Sequence, residues 1–202
     1  MTQPTTHRPY HHGNLRAALL DTAERHLREY GADQLSLRDV TRELGVSHGA
    51  PRRHFPGRQA LLDALAEAGF LRLNDTLSVS LAQAEGGYPE RVRSAASAFV
   101  RFATENAALL ELMNSSRDRP GATRITDAAE AAYRHMTELM ADGQAHGYLE
   151  PGDPERNATI LCATLQGICT MANANRIAWD ELHSVVATAI EQFLRGARPS
   201  AS

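Results

Sequence analysis

Apolar positions recur at helical spacing along most of this chain. An apolar helix is predicted over Leu15–Tyr30, with Gly31 just past its end. The pattern then tightens between Leu35 and Leu62, LSLRDVTRELGVSHGAPRRHFPGRQALL, into two short helices, a sharp turn between them, and a third helix opening behind an arginine. In the first, Leu37, Val40, Thr41 and Leu44 share one stripe, and Ser36 stands where an N-cap belongs. Gly45 follows, where a helix commonly stops in a left-handed turn that glycine adopts at little cost. Val46 then packs inward, and Ser47 caps a second helix running to about His54. Pro51 falls in or just past its first turn, where a missing N–H costs little.

Past Leu62 the helices lengthen. Residues 58–84 predict a long helix carrying Leu61, Leu62, Leu65, Phe70, Leu73 and Leu77, ended by the GGYP segment at 86–89. Further helices are predicted over 90–105, 107–114 and 123–146, with a polar SSRDRPG loop at 115–121. Gly147 ends the third of these, and Pro154 opens another after the turn at 148–155. The last two run over 154–174 and 180–195. The fold class is therefore all-α: an N-terminal three-helix helix-turn-helix domain at 1–60, its N-terminal arm included, and a C-terminal helical domain at 61–202.

Helix, glycine turn, helix is the arrangement whose second helix lies in the DNA major groove. The residues of that second helix suit the task. His48, Gly49, Ala50, Arg52, Arg53 and His54 are small or cationic, with no acid among them. Small residues let the backbone approach base edges, and arginines with a helix N-terminus supply positive charge for phosphates.

The segment from Tyr10 to Leu65 resembles the DNA-binding domain of the tetracycline-repressor (TetR) family of one-component bacterial regulators. The resemblance rests on the helix Leu15–Tyr30 with Gly31, the block LSLRDVTRELGVS, the helix HGAPRRHF and the run PGRQALL. The opening RPYHHGNLR looks like one branch of that family. Over the rest of the chain the likeness lies only in length and helical character. It implies DNA contacts from Arg8, Arg16, Ser36, Arg38, Ser47, His48, Gly49, Ala50, Arg52, Arg53, His54 and Arg58. At Arg52 the family usually has an aromatic, commonly tyrosine, that touches the DNA backbone; an arginine also reaches a phosphate, but the preferred operator can differ. Arg58 replaces the usual lysine and keeps the charge for a phosphate.

Charge is divided along the chain. Residues 1–60 hold nine arginines against six acids, and the remainder twelve against eighteen, for a net charge of −3. Six of the nine histidines also lie in the first 54 residues. A basic head on an acidic body meets nucleic acid with the head alone. Every basic residue is arginine, which fits guanine edges and phosphates but is also what a GC-rich genome encodes. His7, His11 and His12 lack the cysteines or carboxylates that would complete a coordination shell, so no metal is assigned. An N-terminal arm on the duplex, with Asn14 capping the first helix, is the simpler account.

Cys162 and Cys169 are seven apart on one predicted helix, too far for a disulfide within it, and read as buried small residues. No apolar run is long enough to span a bilayer, no signal peptide is recognised, and a cytoplasmic protein is expected. A glycine-rich phosphate loop, an H-E-x-x-H pair and a nucleophile elbow are all missing, so no enzyme is expected and no cofactor is assigned; Glu24, Glu29 and Glu43 look solvated.

The last two helices have more apolar girth than one packing side needs. Leu161, Leu165, Ile168, Val185, Ala189 and Phe193 are therefore expected at a two-fold interface, with two buried core helices in a monomer as the alternative. The family dimerises there, and two recognition helices about 34 Å apart would read a palindrome. The family also holds a small molecule within its C-terminal helices. Phe99, Phe102, Leu109, Leu112, Met113, Tyr133, Met136, Met140, Gln166 and Thr170 are the expected lining, suited to an apolar or amphipathic effector. The expected partners are thus a double-stranded DNA operator, a small-molecule effector and a second copy of the chain. The function expected is repression from a palindromic operator with release by the effector. A DNA-binding dimer without an effector, or a helical ligand-binding or enzymatic protein whose head no longer binds DNA, are the other two readings.

Overall fold

The computed structural model describes residues 15–47 and 51–199, and every regular element among them is helical. The chain divides into two compact units, Met1–Leu65 and Ala66–Ser202. The division falls inside a helix, past the expected boundary at residue 60.

In the first unit, α1 (Leu15–Tyr30) buries Leu15, Leu19, Thr22, Ala23 and Leu27, a stripe at the spacing of one helical face. Leu35, Val40, Phe55, Leu61, Leu62 and Leu65 close the core around it. α2 (Leu37–Glu43) follows Ser36, whose backbone is extended as an N-cap requires, although its side chain makes no cap hydrogen bond. The Thr41 hydroxyl donates instead within α2, to the carbonyl of Arg38 at 2.9 Å. Past α2 the chain reverses at Gly45 (φ +63°), where Val46 N donates to Thr41 O at 3.2 Å, the six-to-one bond of a Schellman turn. An alanine there would be strained.

Pro51–Arg53 form a single 3-10 turn, with the amides of His54 and Phe55 donating to Pro51 O at 2.9 and 2.8 Å. The expected helix to His54 is thus a tight terminal turn in its described part, because a proline has no N–H to continue a ladder. His48, Gly49 and Ala50 lie outside the described residues. α3 (Arg58–Gln83) then runs from the first unit into the second.

In the second unit α3 continues and is followed by α4 (Tyr88–Glu105), α5 (Ala107–Arg117), α6 (Thr123–Ala145), α7 (Pro154–Asn173) and α8 (Trp179–Gly196). α4 begins two residues before its expected start, because Pro89 sits in the first turn, where its missing N–H has no ladder partner to lose. α5 runs past Asn114 to Arg117, with Ser116 buried and the Ser115 hydroxyl donating to Leu112 O at 3.1 Å. The expected loop shortens accordingly. α7 opens on Pro154 behind Asp153, whose Oδ1 accepts from the Glu155 amide at 2.9 Å.

α7 is the centre of this unit and packs against α4, α6 and α8. α4 meets α6 unusually closely at Gly143, where a Cβ would stand 2.3 Å from Tyr88 Cζ. The Tyr88 ring stacks on Tyr148 with centroids 5.0 Å apart. Burial, and secondarily the Asp142 carboxylate, push the Tyr88 hydroxyl far above the ordinary tyrosine range. Among the described residues no helix is long and apolar enough to cross a membrane.

Candidate nucleic-acid interface and effector cavity

The apolar stripes that build the head leave its cations on the surface, but not in one condition. The side chains of Arg38, Arg52 and Arg53 are exposed, and their guanidinium groups form no hydrogen bond or ion pair with the described residues. His54 and Ser47 are exposed beside them, and Ser36 is half-buried at the start of α2. Arg16 and Arg58 are engaged inside the unit. The Arg16 guanidinium lies over the Phe55 ring, 5.6 Å from its centroid. Arg58 donates from Nε to Leu35 O at 2.9 Å and from Nη2 to Ala32 O, both in the turn between α1 and α2. The expected DNA contacts of Arg8, His48, Gly49 and Ala50 lie outside the described residues.

Glu43, expected to be solvated, bridges the two helices of the head. Its Oε1 meets Arg25 at 2.6 Å and its Oε2 meets His26 at 2.6 Å. Arg25 first, then His26, hold its carboxyl below the usual carboxylate range. His26 also packs edge-on against Tyr30, with centroids 5.7 Å apart.

In the second unit five helices wall a cavity of about 440 Å³, within the range of pockets that hold small molecules. Its apolar side comes from Phe70, Leu73 and Leu77 on α3, Phe99 on α4, Leu110 on α5, and Ala129, Ala132 and Met136 on α6. Its polar side is Asn114 and Arg117 at the end of α5, Tyr133 on α6, and Glu155, Thr159 and Gln166 along one face of α7. Two of these hydroxyls share an acceptor. The Tyr133 and Thr159 hydroxyls reach Glu155 O at 3.1 and 2.8 Å and lie 2.7 Å apart, so one can donate to the other while the second donates to the carbonyl. Cys162 completes the wall; burial pushes its thiol up to about 11, so it stays protonated.

Of the ten expected lining residues, Phe99, Tyr133, Met136 and Gln166 face the cavity. Phe102, Leu109, Leu112, Met113 and Met140 are buried elsewhere. The Phe102 ring lies beneath the Arg72 guanidinium, Met113 and Leu109 fill the space beside Gly69, and Met140 Sδ lies 4.0 Å from the Tyr88 hydroxyl. Thr170 is exposed, and its hydroxyl donates to Gln166 O at 2.9 Å within α7.

Comparison with known proteins gives this arrangement its place. Residues 19–65 match the profile of bacterial regulatory proteins of the tetR family, and residues 92–193 match that of the tetracyclin repressor-like C-terminal domain. The chain belongs to the TetR family. A protein of unknown function from Rhodococcus sp. RHA1 is similar to it at 42% identity and a TM-score of 0.88, covering 95% of this chain and 100% of that one. Two more distant structures share the fold. One is a putative transcriptional regulator from Pseudomonas aeruginosa PAO1, at 19% identity and TM-score 0.75, covering 93% of both chains. The other is the fatty acid degradation regulator FadR from Bacillus halodurans, at 17% identity and TM-score 0.73, covering 90% of this chain and 99% of that one. No curated protein sequence matches the chain.

As a TetR-family member the chain is a helix-turn-helix transcription regulator, and its last two helices acquire a particular interest. Leu161 and Leu165 are 0% and 1% exposed within the single chain, and Ile168 is buried beside them. All three are withdrawn from solvent within one chain, so they are core residues here. Val185, Ala189 and Phe193 are half-buried. What α7 leaves outside is a different face, with Ile160 at 48% and Met171 at 45% exposure and small residues, Thr164 and Gly167, between them. The helical periodicity of α7 shows two apolar faces without telling which one its own chain covers.

Proposed function

We propose that this TetR-family regulator is a repressor that binds a palindromic operator as a homodimer and is released by a small, predominantly apolar effector held in the second unit. The observation that carries the reading is the pairing of free cations on the head with a cavity whose wall includes α3. Arg38, Arg52 and Arg53 stand ready for phosphates or base edges on a helix-turn-helix frame. The cavity shares α3 with that frame, since the helix whose first turns bury Leu61 and Leu62 in the head presents Phe70, Leu73 and Leu77 to the void. An effector that favours one placement of α3 changes DNA affinity by the difference in its own affinity for the two states.

The cavity, at about 440 Å³, is in the size range of small-molecule pockets. Its lining balances one arginine against one glutamate and is otherwise neutral, which favours an apolar body with hydrogen-bonding ends. The exposed flank of α7 around Ile160 and Met171 supports the dimer, as an apolar surface that a second copy would cover. The deciding experiment is selection of bound duplexes from a random pool by the full chain at a stated salt concentration. A recovered palindrome is the expected result and gives the half-site spacing. Recovery of no motif, or of a single unrepeated half-site, overturns the homodimeric operator reading.

A further inference from the structure

The arginines of the head divide into free and engaged ones, and Arg58 is the engaged one with the most consequence. It opens α3 in a first turn that contains no acidic residue, where a cation opposes the helix dipole. Two backbone carbonyls compensate it. Nε donates to Leu35 O at 2.9 Å and Nη2 to Ala32 O, residues 23 and 26 positions earlier in the chain. The same turn is closed by Leu35 N donating to Ala32 O at 3.2 Å, and Leu35 is itself buried, so the acceptors are fixed in place. The interval between the two ends of this contact contains all of α2, the segment 48–50 and the exposed Arg52, Arg53 and His54. Pinning both ends of a loop removes much of its conformational freedom.

We propose that Arg58 serves DNA binding as a positioning residue, by clasping the start of α3 to the turn between α1 and α2, and not chiefly by neutralising a phosphate. The clasp holds the base of the helix-turn-helix segment at both ends, so that side chains presented from its middle meet DNA in one register. A guanidinium is suited to this because Nε and Nη2 lie in one rigid plane and reach two carbonyls at once. A lysine would keep the charge and lose the fork. The geometry stands by itself; only its role in DNA reading rests on the function proposed above.

The test compares Arg58→Lys, Arg58→Ala and Arg52→Ala in the full chain. Fluorescence anisotropy is measured across a salt series, on the duplex recovered by selection and on a random duplex of equal length. Arg52→Ala is expected to lower the salt slope by about one on both duplexes, as loss of a phosphate contact does. Arg58→Lys and Arg58→Ala are expected to keep the wild-type slope and to lose about tenfold in preference for the selected duplex, the scale of one misread position. In the free protein, amide exchange across α2 should quicken in Arg58→Lys. Wild-type preference in Arg58→Lys together with a slope lowered by one in Arg58→Ala overturns the proposal and makes Arg58 a phosphate contact. If Arg58→Ala does not fold, the lysine variant alone decides by its preference and exchange. If the wild type shows no salt-dependent binding, the operator reading fails instead, and unchanged exchange across α2 in Arg58→Lys still overturns the clasp.

Discussion

The two units of this regulator treat their interiors in opposite ways. The head closes a small core completely, with Leu19, Leu27, Leu35, Val40, Phe55 and Leu61 almost wholly withdrawn from solvent, and holds its surface by directed polar contacts such as Glu43 to Arg25 and His26. The second unit is larger and holds a partly open cavity of about 440 Å³ among five helices. A head that must present cations at fixed spacing gains from a core without alternatives. A unit proposed to answer a small molecule gains from a cleft between its helices, where a ligand can make close apolar contacts. The contrast predicts that substitutions in the head act as all-or-none losses, whereas those in the cavity wall alter response before stability.

The largest effect should come from Phe55→Ala. Phe55 is the plug of the head, nearly inaccessible, and carries Arg16 on its ring face. Truncation should cost about 3–5 kcal/mol, measured as a shift in the urea midpoint of the full chain, with DNA binding lost in parallel. A cost below about 1 kcal/mol would show that the head core tolerates a void as the second unit does.

Next comes Gly143→Ala. The added methyl meets Tyr88 Cζ at 2.3 Å and the Tyr88 hydroxyl at 2.4 Å, and the ring is held from behind by Tyr148. Overpacking of about 1–3 kcal/mol is expected in thermal unfolding. Gly69→Ala makes a milder control, since its methyl meets the flexible Met113 side chain at 2.6 Å.

Ala132→Phe is the prediction aimed at response. Ala132 faces the cavity, and a larger side chain there fills the space an effector would take. A ligand at a hundred times its Kd should stabilise the wild type by about 2.7 kcal/mol in a thermal-shift assay and leave the variant unmoved. Operator affinity should stay near wild type. Equal ligand stabilisation of both proteins would place the effector elsewhere.

The smallest effect concerns acid. Glu43 has its folded pKa depressed by Arg25 and His26, so the stability it contributes is present above the unfolded carboxylate value and is lost as pH falls through the folded one. Glu43→Gln should therefore lower the urea midpoint of the full chain at pH 7, and the gap between variant and wild type should close as the pH is lowered below about 4. A gap that persists unchanged into acid would show that the α1–α2 bridge does not depend on charge.

Most of this architecture is legible in the sequence, for a definite reason. α1 buries the stripe from Leu15 to Leu27 and ends at the glycine after Tyr30, and both signals are local. Gly45 and the residues around it specify their turn in the same way. The less legible features are those that depend on partners distant in the chain. Glu43 is 17 residues from His26, and Arg58 is 23 from Leu35, so neither contact leaves a periodic trace. The cavity wall is hidden for another reason. Phe70, Leu73 and Leu77 read as ordinary core, and only the packing of five helices decides that they border a void while Met113 and Met140 fill one. The end of α5 was obscured by Ser115 and Ser116, whose turn-forming character is overridden once Ser116 is buried.

The protonated thiol of Cys162 has a practical consequence. With its pKa pushed up to about 11, only roughly one molecule in ten thousand carries the reactive thiolate at pH 7. Cys169 is raised to the same value and is more deeply buried. Alkylation of Cys162 is then slow enough to follow by mass spectrometry over hours, and a molecule lodged against α7 slows it further. The chain thus carries its own clock for occupancy, readable before any effector is known.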